Sequence, residues 1–159
     1  MLYLQLIFIL FLLLIFYQDF KNRSVVLYLF LLGVISGGVL HYKNSLLEEF
    51  LINVLLNVGF IAVLTVVLFL YSTFIMKKKL LETIGVGDFL MFIVFACSFP
   101  IGTFLVVFST SLIFSLLLFL ILKNQLQYKT VPLAGFQSLF LSLLLLLNWL
   151  FNIVDIYVI

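Results

Sequence analysis

The sequence predicts an all-α, polytopic membrane protein with about six transmembrane helices. Of its 159 residues, 67% are hydrophobic and only 9% are charged, whereas about a quarter of the residues in a soluble domain are charged. The mean hydropathy is +1.44. The few charges gather in short segments that separate long apolar runs, and a span takes about 20 apolar residues (range about 17–25). No repeat, linker or low-complexity tract divides the chain, so residues 1–159 read as a single membrane-embedded domain.

Residues 2–18 form the first run. Residues 1–16 have the length of a signal-peptide core, but no basic segment precedes them and no A-x-A-like site follows. The run therefore reads as a retained first span. A polar turn at 19–24 ends it. Residues 25–40 form the second span, and Gly33, Ser36, Gly37 and Gly38 within it suit close helix packing. Residues 46–75 would cover roughly 45 Å against a core of about 30 Å, so this third helix must tilt or extend past the membrane. A polar loop at 76–87 follows. The fourth span, from Asp88 to about Phe99, is short for a full crossing. After Pro100 come a fifth span at 102–122, a polar loop at 123–130, and a last span ending near Trp149.

Six spans put the loops at 19–24, 77–87 and 123–130 on one face. That face carries Lys21, Arg23, Lys77, Lys78, Lys79, Lys123 and Lys129; the other carries Lys43 with Glu48, Glu49 and Asp155. By the positive-inside rule the N-terminus is outside and the basic loops are cytoplasmic, in a multi-pass protein of the cytoplasmic membrane. Trp149 and Tyr157 read as interfacial anchors, and Tyr17 as another at the inner face. The net charge of +2 gives no reason to expect nucleic acid. Cys97 is the single cysteine, which excludes an intrachain disulfide or a cysteine metal cluster. His41 falls on the outer face, and Cys97 is expected to have no histidine on its side of the membrane.

The chemistry is expected at Gly85-Val86-Gly87-Asp88. A carboxylate at the mouth of a membrane helix is costly unless it has a task or a partner. The two glycines let another backbone approach Asp88 and permit dihedrals that other residues resist. Asp19, at the end of the first apolar run, shares the same face. Two carboxylates held about 3 Å apart cannot both ionise, so they share a proton. One takes a proton from an attacking water while the other donates to the substrate carbonyl. Their titration belongs to the pair, so no individual role is assigned. Neither a metal nor a cofactor is required. Set against this, an aspartate at a helix start is also an ordinary N-cap, and Arg23 serves equally as a carboxylate partner or a topology signal.

The segment Asp19-Phe20-Lys21-Asn22-Arg23-Ser24-Val25 resembles the D-x-x-x-R-x-[IV] motif of type IV prepilin leader peptidases. Gly85-Val86-Gly87-Asp88 matches their G-x-G-D motif, and Val131-Pro132-Leu133-Ala134-Gly135-Phe136 is similar to their proline-containing segment before the last helix. The three occur in the family's order and cover essentially the whole chain. The resemblance implies that Asp19 and Asp88 are catalytic, with Arg23, Gly85, Gly87 and Pro132 supporting them. It implies a membrane-anchored prepilin-like substrate, cut at the cytoplasmic edge of its hydrophobic helix to release a basic leader. The chain departs from the pattern at Val26-Leu27, where Pro-Asn is usual, and at Leu90, where Lys is frequent. It also lacks the cysteine-rich segment of the bifunctional enzymes, which implies a peptidase-only, preflagellin-peptidase-like form. Presenilin-like proteases share G-x-G-D, but Tyr17-Gln18-Asp19 is not their partner motif. Two other readings remain: a degenerate member that binds pilin-like substrates or a secretion-system partner without cutting, and a small transporter or channel with the aspartates as its ion site. Transporter sites tend to lie near the midplane, whereas both aspartates are expected at one surface.

Overall fold

Away from water, a backbone must satisfy its hydrogen bonds within its own segment, so each apolar run folds as a helix. The computed structural model describes residues 2–77, 84–124, 131–151 and 156–157. Its helices are α1 (Leu2–Asn22), α2 (Leu27–Lys43), α3 (Leu47–Leu70, continued by a π-helical turn at Tyr71–Ile75), α4 (Val86–Ser98), α5 (Ile101–Leu122) and α6 (Leu133–Phe151). No strand occurs among the described residues. The protein is an all-α polytopic membrane protein. Four helices are long and apolar enough to cross a membrane: α1, α3 with its π turn, α5 and α6. The other two, α2 and α4, are shorter; the 13 residues of α4 rise only about 20 Å. Lys78, Lys79, Glu82, Lys129 and Asp155 lie outside the described residues.

One helix end differs from expectation in a way that bears on the site. Helix α1 runs one turn beyond residue 18 to Asn22, so Asp19 stands on a helical turn and not in a loop. Arg23 closes that turn. Its φ is 53° and its N–H donates to the Asp19 carbonyl at 3.1 Å, a left-handed helix-end position that glycine usually takes. The Gln18 Oε1 then accepts the Val26 N–H at 3.0 Å and ties the reversal into α2.

Helix α2 reaches α4 through its small residues. Gly33 and Gly37, one turn apart, face Val94 and Ser98. A Cβ on Gly37 would collide with the Ser98 hydroxyl and sit 3.0 Å from the Phe8 ring. This close contact fixes where α4, and hence Asp88, stands relative to α1 and α2. Gly37→Leu is expected to destabilise the bundle by about 1–3 kcal/mol through overpacking, read as a lower unfolding midpoint in detergent. An unchanged midpoint would show that α2 and α4 are not held at this distance.

Helix α3 lies at the edge of the bundle and buries few residues, chiefly Asn57 and Ile61. Asn57 has a definite task. Pro100 has no N–H, so the Ala96 carbonyl lacks its helical partner four residues on. The Asn57 Nδ2 donates to Ala96 O at 2.9 Å and to Phe99 O at 2.8 Å. One turn earlier, Asn53 Oδ1 accepts the Ile101 N–H at 3.3 Å. The α4–α5 turn is thus clamped by two asparagines of α3. Asn57→Ala is expected to cost about 2–4 kcal/mol, because two buried carbonyls lose a donor. Thermal unfolding of the purified protein checks it, and a loss no larger than that of Asn44→Ala would refute it.

Rings of Phe60, Phe92, Phe95 and Phe104 surround Phe108, at centroid distances of 5.0–6.3 Å, and join α3, α4 and α5. The chain end folds over this hairpin. Thr103 Oγ1 donates to Ile156 O at 2.9 Å, and Tyr157 stacks on Phe99 at 6.1 Å. Tyr157, expected from sequence as an interfacial anchor, thus lays its ring on the Phe99 ring. The expectation that Cys97 has no histidine on its side of the membrane is corrected: the His41 ring Nδ1 lies 3.2 Å from the Cys97 carbonyl. The contact is with main chain, because α2 and α4 pack in parallel register through Gly33 and Gly37.

Candidate active site

The site is built around the first turn of α6. The Pro132 carbonyl accepts the Phe136 N–H at 2.9 Å, which makes Pro132 the N-cap. A helix leaves its first N–H groups without internal partners, and the N-cap side chain usually satisfies one of them. Proline has no side-chain oxygen to do so. The acceptors come instead from two other helices. Ala134 N–H donates to Asp88 Oδ1 at 2.8 Å, and Gly135 N–H donates to Asp19 Oδ2 at 2.7 Å. Adjacent amides of one helical turn therefore hold the two carboxylates side by side, 69 residues apart in the chain (88 minus 19). The positive end of the α6 dipole favours negative charge at this place.

Each aspartate is aimed by its own helix. Asp19 is on the last turn of α1, the helix that packs most extensively against α6. Asp88 is the third residue of α4. Its Oδ2 accepts the Gly85 N–H at 3.2 Å, so it reaches back to cap α4 while Gly85 occupies the N-cap position. Both carboxylates are half-buried. The Arg23 charge attracts both of them, and the Asp19 charge acts on Asp88. The structure brings Asp19 and Asp88, expected on one face, to a single turn of α6, where the Arg23 charge acts on each.

The glycines act differently from expectation. No glycine among the described residues has positive φ, and Gly85 is extended at φ −67°, ψ 150°. What Gly85 provides is room: a Cβ there would lie 3.3 Å from Asp88 Oδ2. At Gly87 a Cβ would make only an ordinary 3.6 Å contact with Phe30. The tightest position at the site is Gly135, where a Cβ would sit 3.0 Å from Asp19 Oδ2 and 3.1 Å from Asp19 Cβ. The motif aspartates and glycines do not mark Gly135 and Ala134 as site residues. The signal for them in the sequence is their place two and three residues after Pro132, where helix N–H groups are free.

His41 and Cys97 stand at the opposite ends of α2 and α4 from the aspartates. Among the described residues, no three His, Cys, Asp or Glu side chains gather as a metal site would need. Comparison with protein-family models, with curated proteins and with solved structures finds no match to the chain. The functional reading therefore stands on the site's geometry and on its motifs.

Proposed function

We propose that the protein is an integral-membrane aspartic endopeptidase that removes the basic leader from type IV prepilin-like substrates at the cytoplasmic face of the membrane. The observation that carries this reading is the pairing of Asp19 and Asp88 on neighbouring amides, Gly135 N–H and Ala134 N–H. A pair that shares one proton can activate water without a metal. One carboxylate takes a proton as the water oxygen bonds to the scissile carbonyl carbon. The other delivers its proton to the carbonyl oxygen, and collapse of the tetrahedral species moves a proton to the departing amine. The basic loops support a cytoplasmic location for this end of the bundle and an outside N-terminus. A membrane-anchored substrate would reach the pair from the side.

The departures from the family pattern fall beside the pair and leave both carboxylates in place. Val26 is the N-cap of α2 and donates its N–H to Gln18, a bond that a proline there would lack. The test is cleavage of several pilin-like proteins with basic leaders by the purified protein in lipid, with the new N-terminus identified by mass spectrometry. Cleavage at the leader boundary is expected. Intact substrates throughout, together with aspartate-dependent proton flux into proteoliposomes, would replace the peptidase by an ion-transporting membrane protein.

A further inference from the structure

Gln137 is wholly buried at 0% exposure, and its Oε1 has no hydrogen-bond partner. Its orientation is determined by its neighbour. The Ser111 hydroxyl donates to Phe108 O at 2.7 Å, so Ser111 Oγ is left to accept, and it accepts Gln137 Nε2 at 3.3 Å. Reversing the amide would take the Ser111 hydroxyl away from the Phe108 carbonyl. The Oε1 is therefore the end turned away from α5.

Two features of the fold bring this amide to the level of Asp88. Along α6, Gln137 lies three residues after Ala134, whose N–H holds Asp88 Oδ1, and helical side chains lean back toward the preceding turn. Along the α4–α5 hairpin, the Phe92 ring meets Phe108 at 5.0 Å. Asp88 is one turn before Phe92, and Ser111 is one turn after Phe108 on the antiparallel partner, so Asp88 and Ser111 share a level. A buried carbonyl oxygen without a donor is costly. A carboxyl at the same level that keeps its proton would supply the donor.

We propose that Gln137 is a positioning residue of the pair: its Oε1 accepts the O–H of Asp88, which assigns the shared proton to Asp88 and leaves Asp19 as the base. This rests on the peptidase reading for its consequence in catalysis, but not for its hydrogen bond. In the reaction, Asp19 takes the proton from water, and Asp88 passes its proton from Gln137 to the substrate carbonyl oxygen. Asp88 recovers that proton when the tetrahedral species collapses, and Asp19 gives its own to the leaving amine. The charged groups acting on Asp88 are Asp19 and Arg23. On the same turn of α4, Gly87 faces Phe30 of α2.

The test is a pH titration of the purified protein by difference infrared spectroscopy, run beside the pH–rate profile. A carboxylic C=O band that disappears in Asp88→Asn but persists in Asp19→Asn is expected. In Gln137→Leu that band should rise in frequency, and its midpoint should fall by about one pH unit, the equivalent of one hydrogen bond to the protonated form. The alkaline limb of the rate profile should move the same way. Ser111→Ala, which keeps the acceptor and loosens its orientation, should give a smaller shift of the same sign and serves if Gln137→Leu does not fold. A band assigned to Asp19, or a Gln137→Leu protein with a lower rate and an unmoved titration, would overturn the assignment. Absent cleavage with the expected infrared shift would sink the peptidase reading and leave the hydrogen bond standing.

Discussion

Asp19→Asn and Asp88→Asn are each expected to lower leader cleavage by about three to four orders of magnitude, the scale of a lost general acid–base group. The substitution suits the site. Asparagine keeps an acceptor oxygen for the Gly135 or Ala134 N–H, so the first turn of α6 stays capped and the bundle stays folded. What is lost is the proton chemistry. The double variant should be no worse than the worse single one, because the two groups act as a unit. The measurement is the single-turnover rate on a pilin-like substrate, with unfolding midpoints taken for each variant. A variant that is folded and still cuts within tenfold of the wild-type rate would remove its aspartate from the mechanism. Additive losses in the double variant would mean that the carboxylates work separately.

A single methyl group added at Gly135 should cost about a hundredfold in rate, the usual penalty for displacing a reacting group by roughly 1 Å. The reason is spatial. The new Cβ would sit 3.0–3.1 Å from Asp19 Oδ2 and Cβ, and Asp19 cannot retreat while α1 is packed along α6. Either the carboxylate turns away from the Gly135 amide or α6 shifts and takes Ala134 and Asp88 with it. Both outcomes separate the pair. Gly59→Ala is the matched control, because nothing lies within 4 Å of a Cβ there; that change should leave the rate alone and raise stability by about 0.5–1 kcal/mol. The two variants thus share a chemical change and differ only in what surrounds it. A Gly135→Ala protein with the full rate would show that Asp19 is not held against α6 during catalysis.

Much of this architecture can be read from residues 1–159 alone, because the bilayer makes strict demands. Apolar length and charge placement dictate where helices run, and α5 begins one residue, and α3 one residue, from where hydropathy put them. The placement of Asp19 and Asp88 at the same end of the bundle follows from counting spans. Helix ends were less legible: α1 continues through Asp19 because a polar turn costs a helix nothing once it leaves the apolar core, and Arg23 closes it in a conformation that the residue type does not announce.

What the tertiary structure decided is how the aspartates meet. Sequence says that Pro132 begins a helix. It does not say that this helix, with no oxygen on its N-cap side chain, draws its acceptors from α1 and α4. Nor does it say that Gly135, and neither glycine of Gly85-Val86-Gly87, is where two elements come closest at the site. Asn57 likewise looks like a misplaced polar residue until the carbonyls freed by Pro100 are beside it. In each case the chain specifies its helices locally through hydrophobicity, whereas the satisfaction of stray polar groups is settled only by which helices pack together.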